Sequence, residues 1–451
     1  MRWFLGIGAL LLIATVLEAG LIVYASYTLF AIAIGSRYLA REWVRSLEIE
    51  REPIESPIEV GQSIEVKIRL HNRGRWPIAW VLVEDLLPTL ALRQRPTRLS
   101  MKGKRLRIAM IRAGKSITIK YRLHGEMRGF YQIGPLVAET GDLFGLHRRH
   151  RLLGRPQYLQ VNPPIRPLPN YDFASERPVG EVQLAHWLFE DPTRTAGVRP
   201  YRLGDPLQRV HWRATARTGS LHSRIYEPTT LAGATLLLDF HADGYHQRGE
   251  PYRSELAVIV TVALANAVQE LGQQVGLVSN GRDAADRLRQ EQAPSPVDGE
   301  ATRDSVRQNV QMDEANDRLR PVHVETRRGI EVFANIRDYL ARLELADSLA
   351  LPQLVMEMLP RMPRDATVLA VLPQVPVESA VALGLIRRQG FAVSVILIGL
   401  SEDERAVAQG RLISEGVRDV RSINRESELA LLGKNLLEPG ENPYGIETAL
   451  I

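Results

Sequence analysis

The sequence predicts three structural classes in succession: an N-terminal transmembrane helical hairpin, an antiparallel, immunoglobulin-like β-sandwich, and a doubly wound α/β domain. Three observations predict them. Trp3 to Ile34 carries one charged residue, Glu18; Ser46 to about Pro169 alternates apolar and polar residues with period two; and from Ala234 onward continuous apolar strands alternate with helix-period segments. A length of 451 residues suits two or three folding units, each able to bury a core. With no cysteine, disulfides, thiolate zinc sites and thiol nucleophiles are excluded. The formal charge of +5, from 57 Lys and Arg against 52 Asp and Glu, does not imply a global nucleic-acid-binding surface. An aromatic content of 6% argues against a base-stacking platform, so no nucleic-acid partner is expected.

The hairpin occupies residues 1–45. As one straight helix, Trp3 to Ile34 would rise roughly 50 Å, well beyond a hydrocarbon core of about 30 Å. Two arms, WFLGIGALLLIATVL and LIVYASYTLFAIAI, turning near Glu18 to Gly20, match the bilayer better. Each arm is short for a full span, with flanking residues or local bilayer thinning taking up the difference. Arg2 before the first arm and Arg37, Arg41 and Arg45 after the second place both outer ends in the cytoplasm by the positive-inside rule. The competing reading is a cleaved signal peptide ending at Leu17 to Ala19, which the second apolar run immediately after it disfavours.

The sandwich covers residues 46–169. SIEVKIRLH puts Ile64, Val66, Ile68 and Leu70 on one face, and SITIKYRL does the same for Ile117, Ile119, Tyr121 and Leu123. IAWVLVE, RLRIAMI, FYQIGPLVAE and QYLQV supply further short strands between turn-rich stretches such as NRG and RAGK, giving about six strands with no helical periodicity.

The α/β domain covers residues 234–436. ATLLLDF is a buried strand ending in an acid, Ser254 is a plausible N-cap for SELAVIVTVALANAVQEL, and QVGLVSNG is a second buried strand. Helices follow at GIEVFANIRDYLARLE, LPQLVMEML, VESAVALGLIRRQG and about Glu402 to Glu415, with strands at ATVLAVLP, FAVSVILIGL and GVRDVRSI. Residues 282–328 interrupt this series with nearly balanced charge and few large apolar side chains, and are expected to be a mobile insertion. The tail at 437–451 reads as irregular.

The junction, residues 170–233, holds the densest chemistry. Asp205, Pro206 and Gln208 form a helix-start signature, and the helix is expected to run to about Thr218 and stop at Gly219. Arg209, Arg213 and Arg217 then share one helix face. With Arg194, Arg199, Arg202 and Arg224 they suit planar pairing with carboxylate or phosphate, on an anion or an acidic partner. Bracing of the domain junction is the structural alternative. His211, beside Trp212, invites a general-base role with Asp205 orienting it, although no GxSxG elbow accompanies the pair. A packed, hydrogen-bonded histidine is the bland alternative. No GxxxxGK[ST] loop, Rossmann fingerprint or HExxH helix is present, so any ATP hydrolysis falls to a partner.

Around these residues the sequence resembles the domain-of-unknown-function family fifty-eight, membrane-anchored proteins associated with MoxR-type AAA+ ATPases. The resemblance rests on Tyr201, Gly204, Asp205, Arg209, His211, Trp212, Ala216, Arg217, Leu221 and Glu227, with Thr215 where the family usually has Ser, and on RGFYQIGPLVAETGDLFGLHRR from Arg128 to Arg149. It implies a von Willebrand factor A-like fold for the C-terminal domain. Metal-binding members of that fold carry an Asp-x-Ser-x-Ser loop. Here the loop reads DFHAD: Asp239 matches, while His241 and Asp243 replace the serines, and LPQVP stands where a later acid is expected. The usual Mg²⁺ site is therefore not expected. A different metal site at Asp239, His241 and Asp243 and a satisfied polar loop are both left open, and no cofactor is assigned.

The expected function is a membrane-tethered, cytoplasm-facing adaptor or assembly factor at the bacterial cytoplasmic membrane, working with a MoxR-type AAA+ ATPase on a protein client. Its binding motif is Arg202, Gly204, Asp205, Arg209, His211, Trp212, Arg213, Arg217 and Glu227. The alternative is a hydrolase or transferase acting on an anionic, envelope-related substrate through Asp205, His211 and Glu227.

Overall fold

The computed structural model describes residues 6, 8, 12, 16, 20–142, 147–168, 190–201, 210–228, 233–245, 249–285, 321–364 and 366–433. The chain divides into two compact units. One takes in the described parts of Met1–Pro164, Asp283–Asn316 and Ala341–Leu343; the other takes in those of Ile165–Arg282, Asp317–Leu340 and Glu344–Ile451.

The first unit opens with helix α1 (Gly20–Arg45), 26 residues long. It is long and apolar enough to cross a membrane, and at about 1.5 Å per residue it rises about 39 Å. The expected second arm stopped at Ile34, but the helix continues eleven residues further, to Arg45. Leu39, Ala40, Trp43 and Val44 explain the extension, because they prolong the apolar stripe at helical spacing and Trp43 enters the β-core. Of the first arm, the described residues hold only scattered positions, and the turn at Glu18 to Ala19 lies outside them.

After Ser46 the chain passes directly into strands β1 (Leu47–Arg51), β2 (Ile58–Glu59), β3 (Ser63–Asn72) and β4 (Ile78–Asp85). A short helix α2 (Thr89–Arg93) leads to β5 (Leu99–Gly103), β6 (Leu106–Ile111), β7 (Ser116–Gly125), β8 (Gly129–Ile133), β9 (Leu136–Gly141), β10 (Arg148–Leu153) and β11 (Gln157–Asn162). Two four-stranded antiparallel sheets, ordered β1-β3-β7-β5 and β10-β9-β4-β6, share one core, and a third sheet is ordered β2-β11-β8. Of the alternating residues on the expected faces, Val66, Ile68 and Leu70 on β3 and Ile119, Tyr121 and Leu123 on β7 are buried, as is Ile64, while Ile117 near the start of β7 is only partly buried. That burial fixes the register, since a one-residue slip would turn the buried side chains outward.

Buried polar groups in this unit include an ion pair. Asp85 is fully buried; Arg51 Nη1 donates to its Oδ2 at 2.9 Å, a second guanidinium nitrogen donates to Oδ1, and the Tyr121 hydroxyl donates to Oδ2. Burial, and then the Asp85 carboxylate, push the Tyr121 phenol well above its usual range, so it stays a donor.

The second unit begins with the ribbon β12 (Glu190–Pro200) and β13 (His222–Pro228), with helix α3 (Trp212–Thr218) between them. There follow β14 (Gly233–Leu238), α4 (Tyr252–Glu270), β15 (Gln274–Ser279), β16 (Arg282–Asp283), β17 (Val322–Arg327), α5 (Ile330–Arg342), β18 (Leu343–Glu344) and α6 (Leu351–Met358). The chain ends its described part with β19 (Ala366–Leu372), α7 (Val377–Arg388), β20 (Val393–Ile398), α8 (Glu402–Ser414) and β21 (Asp419–Ile423). The main sheet is ordered β17-β15-β14-β19-β20-β21, parallel except for β17. β14 lies in the middle because the chain first winds to one side, through β15, and later to the other, through β19. The inner strands β14, β19 and β20 read as nearly continuous apolar runs because both faces are covered: Leu237, Val368, Ala370 and Val395 join α6, α7 and α8 in one cluster, while α4 lies against β14 and β15.

Two expectations need correction here. Residues 282–328 are not a single mobile insertion: β16 lies at the start, and Val322–Arg327 pairs antiparallel with β15, with its period-two VHV hidden in a charged neighbourhood. Ser254 is not the N-cap of α4; the helix starts at Tyr252 with Pro251 at the cap, and the Ser254 amide and hydroxyl both donate to the Glu250 carboxylate.

Candidate functional site

Two groups of residues in the second unit carry the chemistry. The first is the β12–α3–β13 arm. The expected helix from Asp205 to Thr218 is not continuous: Val210 forms a β-bridge to Ser223, His211 has φ −90° and ψ 85°, and the helix starts at Trp212. Pairing with β13 takes the backbone just before it out of the helical region. Arg213 and Arg217 therefore share a helix that begins only at Trp212. Arg202, Gly204, Asp205 and Arg209 lie outside the described residues, as does the side chain of Glu227 on β13.

His211 is the N-cap. Its Nδ1 accepts the Ala214 amide at 3.0 Å and its own amide donates to the His222 carbonyl at 2.8 Å. Gly219 closes the helix in the left-handed region at φ 71°, with its amide donating to the Thr215 carbonyl. The Thr215 hydroxyl, where the family usually has Ser, accepts the His222 amide at 3.1 Å. Every hydrogen bond in this small network holds the turn, and among the described residues no carboxylate contacts His211. The ring's role here is conformational, and Nδ1 is already engaged as an acceptor.

No residue of α3 is buried. Trp212 is 67% exposed, and Leu221 and Val198 elsewhere on the arm are exposed too. Arg213 and Arg217 are exposed as well, with no ion pair to a described residue. An exposed tryptophan on one helix with exposed guanidinium groups has the residue types that anchor protein interfaces.

The second group lies at the carboxyl end of β14, where the sheet order reverses. Asp239 is buried; Asn280, just after β15, donates from Nδ2 to Asp239 Oδ1 at 2.8 Å and to the Leu349 carbonyl at 2.9 Å, and its Oδ1 accepts the Phe240 amide at 2.6 Å. Tyr245 donates to the Asp239 carbonyl at 2.9 Å. Burial raises the Asp239 carboxyl above 3.8, partly offset by the Asn280 hydrogen bond. Asn280 is the residue that sequence reasoning missed; its signal is an amide placed at the end of a buried parallel strand, next to the strand that ends in Asp239.

His241 points elsewhere. Its Nδ1 accepts the Asp243 amide at 3.3 Å, and Nε2 lies 3.5 Å from Asp347 Oδ1. Asp243 and Asp347 are largely solvent-exposed. The His241 ring thus faces the Asp243 and Asp347 carboxylates while the Asp239 carboxylate faces Asn280, and among the described residues no group of three or more His, Asp or Glu side chains is placed to hold a metal ion. The donor set does not fit an octahedral, all-oxygen Mg²⁺ site. In the LPQVP loop, the Pro373 carbonyl accepts from Arg253 at 2.7 Å and the Val375 carbonyl from Arg411 at 2.8 Å.

Among proteins of recorded sequence, the chain is similar to the uncharacterized protein YeaD of Bacillus subtilis (strain 168), 24% identical over 296 residues, which cover 62% of this chain and 71% of the relative. Among solved structures, a PapD-like domain of human CEP192 aligns with 26% of the chain and 83% of its own at 15% identity and TM-score 0.19. A CARDB domain from Pyrococcus furiosus aligns with 26% and 91% at 11% identity and TM-score 0.17. Proximal thread matrix protein 1 of the mussel byssus aligns with 45% and 46% at 10% identity and TM-score 0.28. Residues 197–351, which include α3, the Asp239 loop and Asn280, match the family model described as protein of unknown function DUF58.

Proposed function

We propose that this protein is a membrane-tethered adaptor or assembly factor, without catalysis of its own, that works with a MoxR-type AAA+ ATPase on a protein client. In this proposal α1 anchors the chain in a bacterial cytoplasmic membrane with both units on the cytoplasmic side, the sandwich is immunoglobulin-like, and the α/β unit is von Willebrand factor A-like. The observation that carries the reading is that no residue of α3 is buried, with Trp212 67% exposed and Arg213 and Arg217 exposed on the same helix. A helix that buries none of its residues among the described parts of the chain, and whose two ends are closed by His211 and Gly219, is a held element with a face left for another surface. Engagement of His211 Nδ1 in the cap weighs against the hydrolase alternative, which needs that ring to be oriented by Asp205.

The test is co-purification of the ATPase with full-length protein extracted in detergent. Trp212→Ala combined with Arg213→Glu and Arg217→Glu is expected to lower recovery at least tenfold, while the protein still sediments with membranes. Equal recovery with the triple variant would remove α3 as the contact.

A further inference from the structure

The first unit carries a second surface, at the end of the sandwich from which α1 emerges. One residue, Ser46, separates α1 from β1. The Arg73 amide donates to the Ser46 carbonyl at 2.9 Å, so the loop after β3 sits against the end of the helix. Asn72, fully buried, organises that loop and the next one: its amide donates to the Lys115 carbonyl at 3.0 Å, its Nδ2 to the Trp76 carbonyl at 2.9 Å and to the Ile111 carbonyl at 3.1 Å, and its Oδ1 accepts the Gly74 amide at 2.9 Å. The Gly114 amide donates back to the Asn72 carbonyl at 2.9 Å. The loops 73–77 and 112–115 are thus held together at the point where the helix ends.

Their composition is uniform in sign. Residues 72–83 contain no acid, and residues 86–125 contain eleven Lys and Arg and no acid. Arg75, Arg112 and Lys115 are exposed, Trp76 next to Arg75 in the chain is 55% exposed, and Arg41 and Arg45 are exposed on the last turns of α1. Arg73 is paired with Glu48 at 2.7 Å. An amphipathic indole among cations, fixed at the end of a helix long enough to span, suits the boundary between acyl chains and headgroups.

We propose that this end of the first unit binds the anionic phospholipid headgroups of the bilayer that α1 enters, with Trp76 lodged at the interface and Arg75, Arg112 and Lys115 on phosphates. The charge complementarity and the continuity with α1 select a lipid surface as the occupant; the proposal rests on α1 crossing a bilayer. Held this way, the sandwich is kept against the membrane rather than swinging on a tether.

Because the chain has no cysteine, Ala113→Cys gives a single labelling site in the second loop. Full-length protein carrying an environment-sensitive fluorophore there is reconstituted into vesicles of phosphatidylcholine alone or with phosphatidylglycerol. The expected result is a blue-shifted emission only with phosphatidylglycerol, reversed by high salt. Arg75→Glu with Arg112→Glu and Lys115→Glu is expected to weaken the contact equilibrium about a hundredfold and abolish the shift. Unchanged hydrogen exchange in β3 and β7 would show that this variant remains folded. Identical emission in both vesicles, or a shift that follows protein concentration instead of lipid charge, overturns the proposal while leaving the anchor intact. Protein that fails to sediment with either vesicle overturns the anchor as well.

Discussion

Arg151 on β10 closes the C-terminus of α1: its Nη1 donates to the carbonyl of Arg45 at 3.0 Å, with Val44 and Leu47 carbonyls at 3.2 and 3.3 Å. A cation at a helix C-terminus satisfies carbonyls that the helix cannot and favours the macrodipole. Removing it with Arg151→Ala should cost the first unit about 1–3 kcal/mol. Hydrogen exchange in detergent should then rise around residues 40–47 ahead of β3. No change there would mean that Trp43 packing alone holds the helix end.

The buried Asp85 should be the most sensitive polar position in the sandwich. Asp85→Ala leaves the Arg51 guanidinium, 7% exposed, without its carboxylate, for a loss of about 3–5 kcal/mol. Tyr121→Phe removes one donor but leaves the ion pair, and should cost less, about 1.5–3 kcal/mol. Denaturant midpoints of the two variants decide the order, and a larger loss for Tyr121→Phe would contradict it.

His211 as a helix cap predicts a specific rescue. His211→Ala should destabilise the arm by about 0.5–2 kcal/mol and reduce partner recovery with it, whereas His211→Asp, which also caps, should restore both. Function lost in the aspartate variant despite an intact arm would point instead to chemistry by the imidazole.

Asp239 makes the second unit pH-sensitive in a defined direction. With its folded carboxyl above the ordinary 3.8, the folded state holds the proton more tightly than the unfolded chain. Stability therefore falls as pH rises from 3.8 through the folded value. Asp239→Asn lacks the titration and keeps an oxygen for Asn280 to donate to. Its stability relative to wild type, followed by denaturation across that window, should increase with pH and then level off; a decrease would show that the charged form is the stabilised one.

Asn280→Ala tests the same loop from the other side. It strands the Phe240 amide and the Leu349 carbonyl in a buried setting and should cost about 2–4 kcal/mol, read as a lower thermal midpoint for the second unit.

Periodicity made most of the elements legible. The faces of β3 and β7 and the strand–helix alternation after Ala234 follow from apolar spacing alone, because burial of one face or both is a local pattern in the chain. Element ends were less legible: β17 was hidden among charged residues, α4 starts two residues before Ser254, and α3 starts seven residues after Asp205. Each of those ends is set by a pairing with a distant strand or by a capping group that competes with the local signal.

The candidate site divides in the same way. By itself the sequence determined that Arg213 and Arg217 share a helix that stops at Gly219 and that Asp239 ends a buried strand, since both facts depend on neighbours a few residues apart. Only the tertiary structure decided that Trp212 stays exposed, that His211 serves as a cap, that Asn280 meets Asp239 across 41 positions, and that the loops around Asn72 gather at the end of α1. Those outcomes depend on which strands become neighbours in a sheet, and hydrogen bonds between distant segments leave no periodic trace in the chain that makes them.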